Sequence, residues 1–447
     1  MGLSSADERV QIIFFMKTSI FQIVLLGIFI LFIIVGVAAF ALYRGESAGD
    51  RMPSVTIWGT FPADVFNAHV TLINQKLREP IVVQYVQKTV DQFSPDFIAA
   101  LARGGGPDGI LIPADMILPH SDKISAIPFS ALSQRTFQDL YIQEGDIYVT
   151  SAGIMGIPFT IDPLIMYWNR DMFDAAGIAA YPRFWDEFTE LNRKLTVKDQ
   201  NGNVRRSALA MGDFTNVANA RELLGSLLFQ VGNPVTYRNA EGTVMSALQA
   251  PLTANPETAL GFFTQAVDPS HQDYSWNRGM PNSKSAFLSG MLATYFGFAS
   301  EIADIRTKNP NLNFDAALLP QVRKGGVKAT YGRMYGLSIV RASTVPNAVY
   351  QIAWILTAPE HLEELSRSIY IPPVRRDLIA LGSSDQYLSL FNEAALVSRT
   401  WLDADPLKSR QLFGTLVSWI TTGQKRIDQA VRDASEQYDI ILEQAVR

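Results

Sequence analysis

From Ile20 to Leu42 the chain carries no charged residue, and Gln22 is the one strongly polar side chain in the run. At 1.5 Å of rise per residue, ~20 apolar residues in a helix cross the ~30 Å of hydrocarbon in a bilayer. Lys17 and Arg44 bracket the run and can reach the headgroups. The pattern predicts a short tail over residues 1–17, a transmembrane anchor over 18–43 and a polar linker over 44–53. Ala39-Phe40-Ala41 has the form of an export cleavage site. An export signal, however, has an apolar core of only ~7–15 residues, so a retained anchor is the preferred reading. Charge does not orient the span, because Arg9 and Lys17 precede it while Arg44 and Arg51 come after it.

The chain has 447 residues, and the part beyond the linker is too long for one ordinary domain. Hydrophobic residues make up 48% of the chain, enough for substantial cores. The net charge is −5, without the basic excess that a nucleic-acid binder needs. There is no cysteine, which removes disulfides, thiolate metal sites, thiol nucleophiles and lipid attachment through sulfur.

Val55–Trp58 reads as a strand, and Phe66, Val70, Ile73 and Leu77 then fall at helical spacing. Ile81–Val86 is strand-like, Phe93, Phe97, Ile98 and Leu101 mark a second helix, and Gly109–Ile112 begins a third strand. This β-α-β-α-β order predicts a parallel sheet and an α/β fold. Ile154–Trp168 is apolar but interrupted by Pro158, Asp162 and Pro163. Pro182 is read as opening a helix with Phe184, Phe188, Leu191 and Leu195 on one face. Helical patterns dominate from Ala218 on, ending in a stripe of Ile427, Val431, Ala434, Tyr438, Ile441 and Leu442.

Two motifs suggest chemistry and fail on context. Gly45-Glu-Ser-Ala-Gly49 has the spacing of a serine-hydrolase elbow but lies in the linker, without the strand and helix that motif requires. Gly104, Gly106 and Gly109 match a dinucleotide fingerprint, yet they come after a helix and before a strand, the reverse of what phosphate binding needs. His69, His120, His271 and His361 stand far apart, not at metal-ligand spacing. Asp186, Glu187 and Glu190 suit the first turns of a solvated helix. No catalytic residue, metal site or cofactor is expected. Aromatics beside turn signals remain: Trp58, Trp276, Phe298, Tyr335 and Trp401. At strand ends such rings can cover the flat faces of a sugar.

Four ordered segments carry a family resemblance: VTIWGTF at Val55–Phe61, GGGPDGILI at Gly104–Ile112, GIPFTIDPLIMYWNRDMFDAAGI at Gly156–Ile178 with PRFWDEFTELNRKLT at Pro182–Thr196, and AFLSGMLATYFGFASEI at Ala286–Ile302. YGRMYGLSIV at Tyr331–Val340 and YIPPVRRDL at Tyr370–Leu378 complete the order. Together they resemble the extracellular solute-binding proteins of carbohydrate ABC importers, the family of maltose-binding protein. The resemblance implies a two-lobe periplasmic-binding-protein-like fold of class II. Its N-lobe would comprise residues 54–161 and 337–380, and its C-lobe 162–336 and 381–447. The chain would cross between lobes near Asp162, near Tyr331–Tyr335 and near Asp377–Asp385. Carried over, Trp58 and Thr60 line the first lobe and Asp162 sits at the first crossing. Phe298 and Glu301 face the cleft from the second lobe, and Tyr335 stands where the family often has Trp. Trp276 joins this ligand-contact set as a turn-adjacent aromatic.

The function expected is that of a monomeric receptor on the extracytoplasmic side of the cytoplasmic membrane, tethered by a single span. It would close by a hinge on a sugar or oligosaccharide and deliver it to the permease subunits of an ABC importer with their ATPase. A sensor signalling to a membrane partner and a glycan-acting enzyme are the alternatives.

Overall fold

A computed structural model describes residues 52–249 and 255–446, and Pro53 onward forms one compact unit. The span expected over 18–43, with the tail before it and most of the linker after it, lies outside the described residues. Among the described residues no helix is long and apolar enough to cross a membrane.

The first third has the expected alternation. Strand β1 (Val55–Gly59) leads to helix α1 (Ala63–Lys76), β2 (Val83–Gln87), α2 (Val90–Ala102) and β3 (Gly109–Pro113). β1 pairs in parallel with both β2 and β3. Pro62 stands at the N-cap of α1. Gly104 ends the turn after α2 at a φ of +72°, a conformation a side chain would strain.

Two long strands then organise the molecule. β4 spans Ile157–Asn169 without a break, through both prolines. Its first half pairs antiparallel with β7 (Thr330–Val340), and its second half with β5 (Thr294–Phe298) and β6 (Phe314–Ala317). β7 in turn pairs with β3 through Tyr335–Ile339. The sheet path is therefore β5-β4-β7-β3-β1-β2, with β6 beside β4.

Proline cannot donate to a ladder, so a mid-strand proline normally argues for an interruption. Here each falls where the ladder changes. Pro158 lies at the register shift opposite Tyr335 and Gly336, and Pro163 lies where β4 passes from β7 to β5. Gly336 has a second reason to lack a side chain, since a Cβ there would come within 2.4 Å of the Tyr148 ring.

Beyond β4 the helix expected from Pro182 begins later, as a short turn at Trp185–Glu187 running into α3 (Phe188–Leu195). Glu187 makes the start by reaching back, its Oε2 accepting from the Arg183 N–H at 2.8 Å. Helix α4 (Ala220–Gln230) is buried along its whole length. The final helix, α5 (Ile427–Val446), buries Val431, Ala434, Tyr438 and Leu442, as its stripe predicts. A large core on the β5 and β6 side gathers Tyr167, Trp185, Leu224, Phe263, Trp276, Tyr295 and Tyr438. On the other side Val55, Ile57, Phe66, Phe93, Phe97 and Ile110 are equally buried. Each such side chain contributes ~1.5–3 kcal/mol by leaving water.

Candidate functional site

The place to build a site is where β4 and β7 pass from one set of partners to the other. Asp162 on β4 and Arg333 on β7 are direct antiparallel partners, as are Thr160 and Tyr335. Pairing puts each pair on one sheet face. Tyr335 is also opposite Pro113, the last residue of β3, and its ring packs edge-on to Phe61 with centroids 5.1 Å apart. Arg333 and Tyr335 are half-buried, so each keeps some contact with solvent.

No ion pair joins the carboxylate of Asp162 to Arg333, its partner across the ladder. Its Oδ1 accepts the Ser300 N–H at 3.0 Å and its Oδ2 the Ser300 hydroxyl at 2.6 Å. Burial pushes its carboxyl up to about 6, against the pull of Ser300 and Arg333. Arg333 lays its guanidinium 3.8 Å from the centroid of Phe298 and has neither a hydrogen bond nor an ion pair to any described residue. Burial works against its charge, but Tyr335, Tyr331, Glu222 and Asp162 around it outweigh that and hold its pKa above the ordinary guanidinium value. A buried hydroxyl nearby, Thr160 Oγ1, also lacks a hydrogen-bond partner among the described residues. Burial raises the pKa of the Tyr335 phenol, and Arg333 and a hydrogen-bonding contact with Thr60 oppose that rise.

Beside this face lies a saturated ionic cluster. Arg221, in the first turn of α4, donates Nη1 to Asp115 Oδ2 at 3.2 Å and Nη2 to Asp403 Oδ2 at 2.6 Å. It also reaches Glu222 at 3.3 Å and stacks 4.2 Å from the Trp401 ring. The Tyr331 hydroxyl donates to Asp115 at 3.2 Å. Burial raises the Asp115 pKa, and Arg221 opposes that shift.

Of the residues expected to touch ligand, the structure brings Thr60, Asp162 and Tyr335 together around Arg333. Phe298 is adjacent, but it is 2% exposed and one of its faces is covered by Arg333, so its ring is not open for stacking. Glu301 is engaged internally, accepting from Tyr295 Oη at 2.8 Å, the Phe298 N–H at 2.9 Å and Lys284 Nζ at 2.5 Å. Trp58 pairs with Ile110 and Ile110 with Ser338, three residues from Tyr335 along β7. An odd separation puts Trp58 on the opposite sheet face from Tyr335, where Lys88 Nζ covers its ring at 4.5 Å. Trp276 is fully buried in the large core, its indole N–H donating to Asn216 Oδ1 at 2.9 Å.

Arg333, Thr160, Asp115 and Arg221 are the residues that reading the sequence missed. Arg333 sits within YGRMYGLSIV, two residues from Tyr335, so its position was in view though its role was not.

The profile of the bacterial extracellular solute-binding protein family matches residues 60–359. No curated protein matches the chain. Among solved structures, a cyclo/maltodextrin-binding protein complexed with maltotetraose is 15% identical, with a TM-score of 0.69 over 90% of this chain and 99% of that one. The sugar-binding protein MalE of the phytopathogen Xanthomonas citri is 19% identical, with a TM-score of 0.69 over 88% and 98%. A cyclic alpha-maltosyl-1,6-maltose binding protein from Arthrobacter globiformis is 17% identical, with a TM-score of 0.69 over 88% and 99%. At these identities the likeness is one of fold, and the fold is the two-lobe α/β architecture.

Proposed function

Because the chain belongs to the bacterial extracellular solute-binding protein family, we propose that it is an extracytoplasmic receptor that captures a carbohydrate-like solute between its lobes and presents it to an ABC importer. One observation carries this reading. Where the two long strands change partners, the Arg333 guanidinium and the Thr160 hydroxyl have no hydrogen-bond partner among the described residues, beside the half-buried Tyr335. Polar groups withdrawn from water without partners are costly, so they fit a ligand rich in hydroxyls. Solved proteins of this fold bind maltotetraose and mannotriose, which supports a saccharide as that ligand.

The lobes are residues 54–161 with 337–380, and 162–336 with 381–447. Ligand touches Thr60, Thr160, Asp162, Arg333 and Tyr335 at their junction. Contacts from both lobes make the closed form the better binder, so ligand shifts the hinge toward closure. Permease subunits with their ATPase read that closed shape. Residues 18–43 tether the receptor to the membrane.

The test is a thermal-shift screen of the full-length protein in detergent against linear saccharides. A ligand at ~100 times its dissociation constant adds ~2.7 kcal/mol of stability. As the chain has no cysteine, fluorophores on Arg78→Cys and Glu241→Cys report lobe separation without background labelling. Stabilisation with a shortened label distance is expected. Saturating binding with no change in distance, or recovery of a cleaved saccharide, would overturn the receptor reading.

A further inference from the structure

Arg333, Arg221 and Lys88 each lie over an aromatic ring, and two of the three have carboxylates of their own. Lys88 lies 2.7 Å from Asp96 Oδ2, and Arg221 is held by Asp115, Asp403 and Glu222. Arg333 has no carboxylate within 4.0 Å among the described residues, although Asp162 is its direct ladder partner. Ser300 occupies an acceptor position on each oxygen of that carboxylate. Phe298 covers one face of the guanidinium at 3.8 Å and keeps water from it. Arg333 is half-buried, and no described residue accepts a hydrogen bond from its planar fork. Such a fork matches a carboxylate with two parallel hydrogen bonds, whereas single sugar hydroxyls satisfy it one at a time and leave its charge unbalanced.

Resting on the receptor reading above, we infer that Arg333 selects an acidic saccharide, one whose ring bears a carboxylate, as in an oligosaccharide of uronic acids. The carboxylate pairs with the Arg333 edge. The Thr160 hydroxyl, which has no hydrogen-bond partner among the described residues, and the Thr60 hydroxyl bind the neighbouring sugar oxygens. Phe298 acts as the back plate that holds the guanidinium flat. Arg333 is thus the specificity-determining residue, and the aromatic beside it serves Arg333 rather than the sugar.

The counterweight is local charge, because Glu222 and Asp162 act on Arg333 through space. If those acids govern the site, a neutral saccharide binds better. The experiment compares digalacturonate and diglucuronate with the neutral disaccharides of the same linkage, by calorimetric titration of the full-length protein at low and high salt. Acidic ligands should bind at least tenfold more tightly than their neutral counterparts, with an advantage that shrinks as salt rises. Arg333→Gln should abolish that preference, and Arg333→Lys, a point charge without the fork, should keep only part of it. Melting curves of both variants without ligand report whether they are folded, and Arg333→Lys serves if Arg333→Gln is not. Neutral ligands binding as tightly as acidic ones, or a preference unchanged in Arg333→Gln, would overturn the inference while leaving the receptor reading intact. Failure of acidic and neutral saccharides alike to bind would overturn both.

Discussion

Arg221 and Asp115 meet at 3.2 Å, tying the first turn of α4 to the residues just after β3. The contact joins parts of the chain 106 residues apart, and both side chains are almost wholly buried. Asp403 closes the cluster from a third segment, and Arg221 Nε also donates to Ser409 Oγ at 3.1 Å. Replacing one partner of such a cluster costs more than the cluster itself stabilises, because charges are left buried without compensation.

Arg221→Met should therefore lower the unfolding free energy by about 3–5 kcal/mol, since it strands Asp115 and Asp403. Urea titration of the full-length protein measures this. A loss under ~1 kcal/mol would mean that water already shares the cluster.

Glu144 gives a pH dependence. Its Oε1 accepts the Thr400 N–H at 2.6 Å, and burial pushes its carboxyl up to about 8 from an ordinary 4.5. The folded state thus binds the proton more tightly than the unfolded state. The stability this supplies is fully present below pH 4.5 and is lost as pH rises through about 8. Melting temperatures from pH 5 to 8 should fall more steeply for the natural protein than for Glu144→Gln. Parallel curves would show that Glu144 is ionised throughout.

Trp276 separates packing from binding. Its ring is fully buried and its N–H is held by Asn216. Trp276→Ala should cost ~3–5 kcal/mol through the cavity it leaves. Trp276→Phe, which keeps most of the volume, should bind saccharide with unchanged affinity. A Trp276→Phe protein that melts normally but binds tenfold more weakly would return this residue to the site.

The same tryptophan marks the limit of what the sequence discloses. Alternating apolar runs and turn residues suffice for β1 through β3, because the signals for those elements are local. They also suffice for α5, whose Asp428–Arg432 pair forms at 3.4 Å. β4 looks interrupted because whether a proline breaks a strand depends on what its neighbours need at that position, which is a property of the ladder. An aromatic beside a turn looks alike in a core and in a cleft, so Trp276 and Tyr335 could not be told apart. Trp401, noted for its place near a turn, is 2% exposed between Arg221 and Tyr331. Arg333 acquires its meaning from Phe298 and Asp162, 35 and 171 residues away in sequence. No local pattern carries such a relation.

Thr160 offers a test in which stability and affinity move in opposite directions. It is 3% exposed, its Oγ1 has no hydrogen-bond partner, and it faces Tyr335 across the ladder. A hydroxyl left unpaired in the interior weakens the fold by the water it gave up. Valine is close to threonine in shape, shares its preference for strands and has no such group. Thr160→Val should therefore melt at the same temperature as the natural protein or higher when no ligand is present. If that hydroxyl is one of the groups that bind the solute, the same change removes a hydrogen bond from the complex alone. Affinity for the saccharide giving the largest thermal shift should then fall about tenfold, equivalent to ~1.4 kcal/mol. Lower stability with unchanged affinity would show that the hydroxyl serves the fold, and Thr160 would leave the site.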